Sequence, residues 1–264
     1  MRKNLESARR WLSFSLRRRL RGFQNSMHRG HFATARSSQS LPYLIKEHRL
    51  PIYRRLNGVD PELFENKRRN LELAIAKLDG LLLSPGKVFS LWRLVGPPTA
   101  ARGYLEGLVL DRGRPSRGVG GGLCQLANAL LWLALHAELS LVERHHHSLD
   151  IFPDDHRRVP FGTGASIVYN FKDLRFKNEA RCRYQFRLHL TDEDLVARIF
   201  SDSPPERHYV VSESDHAFVP GDDGGLYRKN TILREVRDAA GNRLHTETLF
   251  KNFAKCQYTL QEAQ

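Results

Sequence analysis

The sequence predicts an α+β protein, and three observations carry that prediction. Apolar residues recur every three to four positions in two early segments, Pro61 to Gly80 and Leu123 to Ala137, as in helices buried on one face. From Leu139 onward, short apolar-rich runs alternate with turn signals, the pattern of strands joined by hairpins. Between these regimes lies a glycine-rich turn, Gly118-Val119-Gly120-Gly121-Gly122, running straight into the second helix. Helices first and paired strands later imply helices and a Gly-rich loop packed on a largely antiparallel β-sheet, with C-terminal β-hairpins.

Taken in order, the first element is a basic amphipathic helix. Leu5, Leu12, Leu16, Leu20 and Phe23 recur at helical spacing beside Trp11, and Arg9, Arg10, Arg17, Arg18, Arg19 and Arg21 supply charge. The 264-residue chain has a formal net charge of +13, yet its first 55 residues hold 14 Lys and Arg against only Glu6 and Glu47. The remainder is nearly neutral, with 28 basic and 27 acidic residues. An evenly basic domain for specific nucleic-acid binding is thereby excluded. A basic arm over residues 1–36 instead suits an anionic membrane surface.

Residues 1–55 therefore read as an extension and 56–264 as the domain, with the Ser/His/Arg-rich stretch 24–42 as a linker. The run Trp11–Leu16 is interrupted by Ser13 and Ser15 and ends in three arginines, so it lacks the apolar centre of an export signal. No apolar run approaches the roughly 20 residues that span a bilayer. Cys124, Cys182 and Cys256 are odd in number and far apart, which fits a reducing compartment rather than a disulfide framework. A cytoplasmic protein, peripheral at the inner membrane face and needing no cofactor, is the expectation.

The helix from Pro61 presents Phe64, Leu71, Leu73, Ile75, Ala76 and Leu78 and should end near Gly80, where Ser84-Pro85-Gly86 turns the chain. Val88–Leu94 is a short apolar stretch closed by Gly96-Pro97-Pro98. Tyr104–Asp111 reads as a strand and Arg112–Gly122 as turns. Leu123, Leu126, Ala127, Leu130, Leu131, Ala134 and Leu135 mark a buried helix. Strands are expected over Leu139–Arg144, His147–Phe152, Ser166–Phe171, Arg183–Leu190, Leu195–Phe200 and His208–Glu213. Thr191–Asp194 looks like a hairpin turn, and Thr231–Arg237 with Arg243–Phe250 form a second hairpin around Ala240-Gly241-Asn242.

The chemistry concentrates where the glycines meet the buried helix. Gly120, Gly121 and Gly122 can turn backbone N–H groups toward a ligand. Cys124 then sits in the first helical turn, where the dipole favours a thiolate and unpaired amides could hold an oxyanion. A nucleophilic cysteine needs a base, and His145, His146 and His147 follow, with His147 the best placed. An acid must orient the imidazole, and Asp173 is the first choice with Asp150 second. Cys124, His145 and His147 could alternatively hold zinc with a water as fourth ligand. The GxxxxGK[ST] arrangement is missing, which argues against a nucleotide loop.

These residues lie in a wider pattern. Leu81-Leu82-Leu83-Ser84-Pro85-Gly86-Lys87-Val88-Phe89-Ser90, Trp92, Gly96, Gly103-Tyr104, Gly107, Gly120-Gly121-Gly122-Leu123-Cys124-Gln125-Leu126, Glu143-Arg144, His147-Ser148, Tyr169, Lys172-Asp173-Leu174, Phe176 and Asn178 resemble the VanW family. That family takes its name from an accessory protein of vancomycin B-type resistance. The resemblance covers roughly residues 60 to 260. It implies an association with bacterial cell-wall or peptidoglycan biology, selects His147 among the three histidines, and adds Gln125 and Ser148 as neighbours of the site. Residues and resemblance together suggest a cysteine-dependent amide or ester hydrolase or acyltransferase acting on a peptidoglycan precursor or wall peptide. The alternative is a non-catalytic module that binds an anionic wall precursor or a membrane-associated partner.

Overall fold

The computed structural model describes residues 16 to 258 except 17, 24, 28, 54–59, 112–113, 147–148 and 151–158. Its body begins earlier in the chain than composition suggests. β1 (Tyr43–Pro51) pairs antiparallel with residues 194–201 along its whole length. Bridges from Phe32 to Val88 and from Arg36 to Leu81 tie down part of the expected linker. Charge hid this strand: Lys46, Glu47 and Arg49 interrupt it because it is an edge, where charged side chains face water and deter further pairing. Glu47 bonds both Arg49 and Arg198 there.

α1 (Glu62–Ile75) starts where Asp60 Oδ1 accepts the Glu62 N–H at 3.0 Å. It buries Leu63, Leu71, Ala74 and Ile75. The chain then turns through Gly80 into β2 (Leu82–Leu83). The apolar stretch from Val88 divides into β3 (Val88–Ser90) and the short α2 (Leu91–Val95), because Ser90 caps the helix by accepting the Arg93 N–H. β4 (Glu106–Asp111) pairs with β5 (Arg114–Val119), so the segment expected as turns contains a strand. This two-stranded ribbon is set by backbone pairing, and β5 has no apolar alternation to betray it.

α3 (Leu123–Leu135) is the central helix. Only Cys124, Gln125 and Asn128 keep accessible surface along it, and they share one flank of its first turns. Then come β6 (Leu139–Glu143), β7 (Leu149–Asp150), β8 (Arg175–Asn178), β9 (Tyr184–Leu190), β10 (Asp194–Ser201), β11 (Arg207–Pro220), β12 (Leu226–Asp238) and β13 (Arg243–Cys256). Ser166–Phe171 is not the expected strand. A single bridge joins Val168 to Lys172, closing a turn at Asn170, whose φ of 52° is left-handed. Asn adopts that region at little cost, so a run rich in β-formers turns instead.

The strands form the sheets β1-β10-β9-β2, β3-β8-β6 and β11-β12-β13-β7, plus the ribbon. Every pairing is antiparallel except β7 with β13. α1 and α3 pack against each other, α1 against β9 and α3 against β1 and β10. Phe89 stacks on Phe176 at 4.3 Å and both rings lean on Phe186, which fastens the three-stranded sheet to the four-stranded one. This is the α+β arrangement the sequence predicts, with the N-terminus of α3 as the one polar end of an otherwise buried helix.

Candidate functional site

The glycine turn is built by close backbone packing. A Cβ on Gly121 would lie 2.2 Å from the Gly107 carbonyl carbon, and Gly122 takes φ 93° under the Lys67 side chain. Fully buried Asn70 donates to the Leu105 and Gly121 carbonyls and accepts the Leu105 N–H. The amides of Gly120, Gly121 and Gly122 donate to the carbonyls of Leu105, Gly118 and Leu108 at 3.0, 3.1 and 3.2 Å. All three are thus spent inside the fold. The donors that a helix start leaves over belong to its first residues, here Leu123 and Cys124.

Cys124 lies below a strap formed by residues 159–174. Asn128 Oδ1 accepts the Ala165 N–H at 2.8 Å, and Ser166 N–H donates to the His145 carbonyl at 2.7 Å. The next residue, Ile167, brings its backbone amide to Cys124. Burial pushes the Cys124 thiol up; the Ile167 amide, the residue's own amide and the Lys172 charge oppose the shift without cancelling it. Burial thus outweighs the hydrogen bonds and charge at the sulfur and favours the protonated form. Gln125 donates from Nε2 to the Pro51 carbonyl at 2.6 Å, while its Oε1 is buried with no hydrogen-bond partner among the described residues.

Asp173 is 1% exposed. It accepts from Ser90 Oγ at 2.6 Å, Arg175 Nε at 2.8 Å, the Leu174 N–H at 2.9 Å and the Trp92 N–H at 3.1 Å. Four donors fill the positions a carboxylate offers, and they join α2, β3 and β8. Asp150 is likewise engaged, by Arg228 at 3.3 Å and by the Tyr258 hydroxyl at 2.6 Å. His147 and Ser148 lie outside the described residues.

An acid–imidazole pair does form beside the strap, between His145, one of the three candidate histidines, and Glu143, which the sequence reading did not single out as the acid. Glu143 Oε1 accepts from His145 Nε2 at 2.9 Å and from the Asp173 N–H at 2.8 Å. Its other oxygen accepts from Arg21 of the N-terminal arm. Burial pushes the Glu143 carboxyl up, but the Asp173 amide, His145 and Arg21 outweigh it and hold the group below its ordinary value. With Nε2 turned to Glu143, His145 leaves Nδ1 for another partner. His146 is lowered by burial and by the charges of Arg144, Lys172 and His145. The signal was available: Glu143 and His145 are two apart in an extended segment and share a face.

Among the described residues no three of His, Cys, Asp and Glu come together as a metal site. Cys124, Cys182 and Cys256 form no disulfide with one another. No helix among the described residues is long and apolar enough to cross a membrane.

Comparisons with known proteins centre on this region. The family model described as VanW like protein matches residues 66–200, which hold the glycine turn, Cys124, the histidine run and Asp173. The Vancomycin B-type resistance protein VanW of Enterococcus faecalis (strain ATCC 700802 / V583) is 33% identical over 88% of this chain and 84% of its own length. The Uncharacterized protein YoaR of Bacillus subtilis (strain 168) is 30% identical over 44% of this chain and 36% of its own. No solved structure matches significantly. A family model spanning the site and a relative aligned along most of both chains make this protein a member of the VanW family.

Proposed function

We propose that this VanW-family protein serves bacterial cell-wall biology as a cysteine-dependent amide or ester hydrolase or acyltransferase. The vancomycin resistance in the name of its E. faecalis relative supports the wall connection. The observation that carries the chemistry is the strap. It sets the Ile167 amide at Cys124 and bonds the His145 carbonyl through the neighbouring Ser166, which supports a base from the histidine run acting on the thiol.

Cys124 is the nucleophile and His147 the base. Because burial favours the protonated form, the imidazole takes the proton as sulfur attacks the acyl carbon. The C–S bond forms, and the amide or ester bond then breaks as the imidazolium gives its proton to the leaving group. Water or an acceptor nucleophile then gives its proton to the imidazole and attacks the thioester carbon; the C–S bond breaks, the acyl group leaves on the new nucleophile, and the proton returns to the Cys124 sulfur. The first amides of α3 face the oxyanion. Gly120, Gly121 and Gly122 shape that floor, with Gln125 at its edge, and Ser148 is a substrate contact. Asp173 is a positioning residue: its amide holds Glu143, which holds His145, so the run starts from a fixed point.

A second reading is favoured by a specific observation. The glycine amides and the Asp173 carboxylate are already consumed by the fold, which speaks against a catalytic use of either and leaves a non-catalytic module whose basic side chains hold an anionic wall precursor. Iodoacetamide labelling against pH separates the two. If His147 is the base, Cys124 reacts in wild type and its rate falls about tenfold or more in His147→Ala. Equal rates in both proteins across the pH range defeat the catalytic reading and leave the binding one.

A further inference from the structure

The N-terminal arm docks with the wrong face for an ordinary amphipathic helix. Residues 18–23 and 25–27 are helical, as is position 16. Their polar side holds the body: Arg21 donates to the Phe171 carbonyl and to Glu143, Asn170 donates to the Arg18 carbonyl, and Arg18 lies over the Tyr169 ring. Asn25 accepts from Arg93 and Arg175. Leu16, Leu20, Phe23 and Met27 are instead 59, 52, 65 and 67% exposed. At 100° per residue these four fall within a 60° stripe, while Arg18, Arg21, Gly22 and Asn25 centre on the opposite side.

We propose that this stripe is an interaction surface for an anionic lipid bilayer, and that the helix is held between bilayer and body. The charge on the page selects that occupant. The first 55 residues carry nearly all of the net positive charge, and Arg19, exposed, flanks the stripe. A helix with an outward apolar stripe and arginine flanks inserts its stripe below the headgroups and leaves its cations on phosphates. The docked face makes the arm a spacer as well as an anchor. Glu143 and His145 would then stand about one helix diameter, roughly 10 Å, from the lipid surface, where a lipid-linked or membrane-adjacent substrate is accessible. This inference stands on the arm alone and survives if Cys124 proves inert.

The test is co-sedimentation of the full chain with vesicles of phosphatidylcholine alone or mixed with phosphatidylglycerol. The expected result is salt-sensitive binding to the mixed vesicles only, weakened about tenfold or more in the Leu20→Glu/Phe23→Glu variant. Val142→Glu/Leu244→Glu, which alters exposed apolar side chains of the body, should bind as wild type does. Both replacements lie on exposed positions, and circular dichroism checks that each variant folds. Unchanged binding after Leu20→Glu/Phe23→Glu overturns the proposal. So does absence of vesicle binding together with a concentration-dependent dimer that the same variant abolishes, which would assign the stripe to a second copy.

Discussion

Asp173 shows how much a single residue's surroundings decide. From sequence it is an acid a short distance beyond a histidine run, and its role as an orienting group follows by analogy. In the structure its four acceptor positions serve Ser90, Trp92, Leu174 and Arg175. Asp173→Ala would strand the buried Ser90 hydroxyl and leave the Arg175 guanidinium without its buried carboxylate, and should cost about 3–5 kcal/mol. Asp173→Asn keeps the shape and two acceptor sites, and should cost less. Urea unfolding midpoints of the two variants check this, and near-wild-type stability in both would mean that the network is not a structural anchor. Cys124 and the glycine turn were legible because residue type and chain order carry them. The Glu143–His145 pair was legible only as a shared strand face. What filled each acceptor site was not, because Ser90 and Trp92 are about eighty positions from Asp173 and no local pattern joins them.

α3 illustrates where local rules yield to burial. Its extent was plain from the apolar period, since an all-round apolar helix can only be buried. Its C-cap, His136, sits where the helix dipole favours a cation. Yet burial, with minor contributions from Lys46, His48 and Arg234, lowers His136 to about 4, against the smaller upward effect of its hydrogen bond to the Trp132 carbonyl. A depressed folded value means that the unfolded chain takes up this proton first. The stabilisation is complete above about pH 6.5 and is lost as pH falls toward 4, amounting to about 3 kcal/mol at the acid end. Urea midpoints should therefore drop between pH 7 and pH 5 in wild type, and less in His136→Asn, whose amide can keep the bond to Trp132 without titrating. Identical pH profiles would contradict a neutral buried imidazole. β1 and β5 escaped the sequence reading for the opposite reason: edge and ribbon strands are held by backbone pairing, and their side chains keep no period.

At the scale of the molecule, the long C-terminal sheet and the candidate site are connected through one piece of chain. The family model ends at residue 200, and β11, β12 and β13 follow it. Arg228, 2% exposed on β12, donates to Asp150 and to His216 and lies over the rings of Phe161 and Phe218. Asn230 and Asn252 both donate to the Phe161 carbonyl. A Cβ on the next residue, Gly162, would lie 2.2 Å from Asn252, so the strap is pressed against the sheet at that point. From Phe161 the chain passes Asn128 at Ala165, His145 at Ser166 and Cys124 at Ile167. Loosening the sheet end should therefore be felt at the thiol. Arg228→Ala removes one partner of a buried ion pair with Asp150 and should cost about 3–5 kcal/mol. Hydrogen exchange should then quicken at Ala165 and Ser166, whose amides bond Asn128 and His145, by more than at the amides in the middle of α3, which quicken only as far as the loss of global stability requires. If Arg228→Ala lowers overall stability but the strap amides keep their protection relative to α3, the sheet supports the fold without positioning the site. If the strap opens selectively, the sheet beyond the family core is part of what holds Cys124 beneath Ile167.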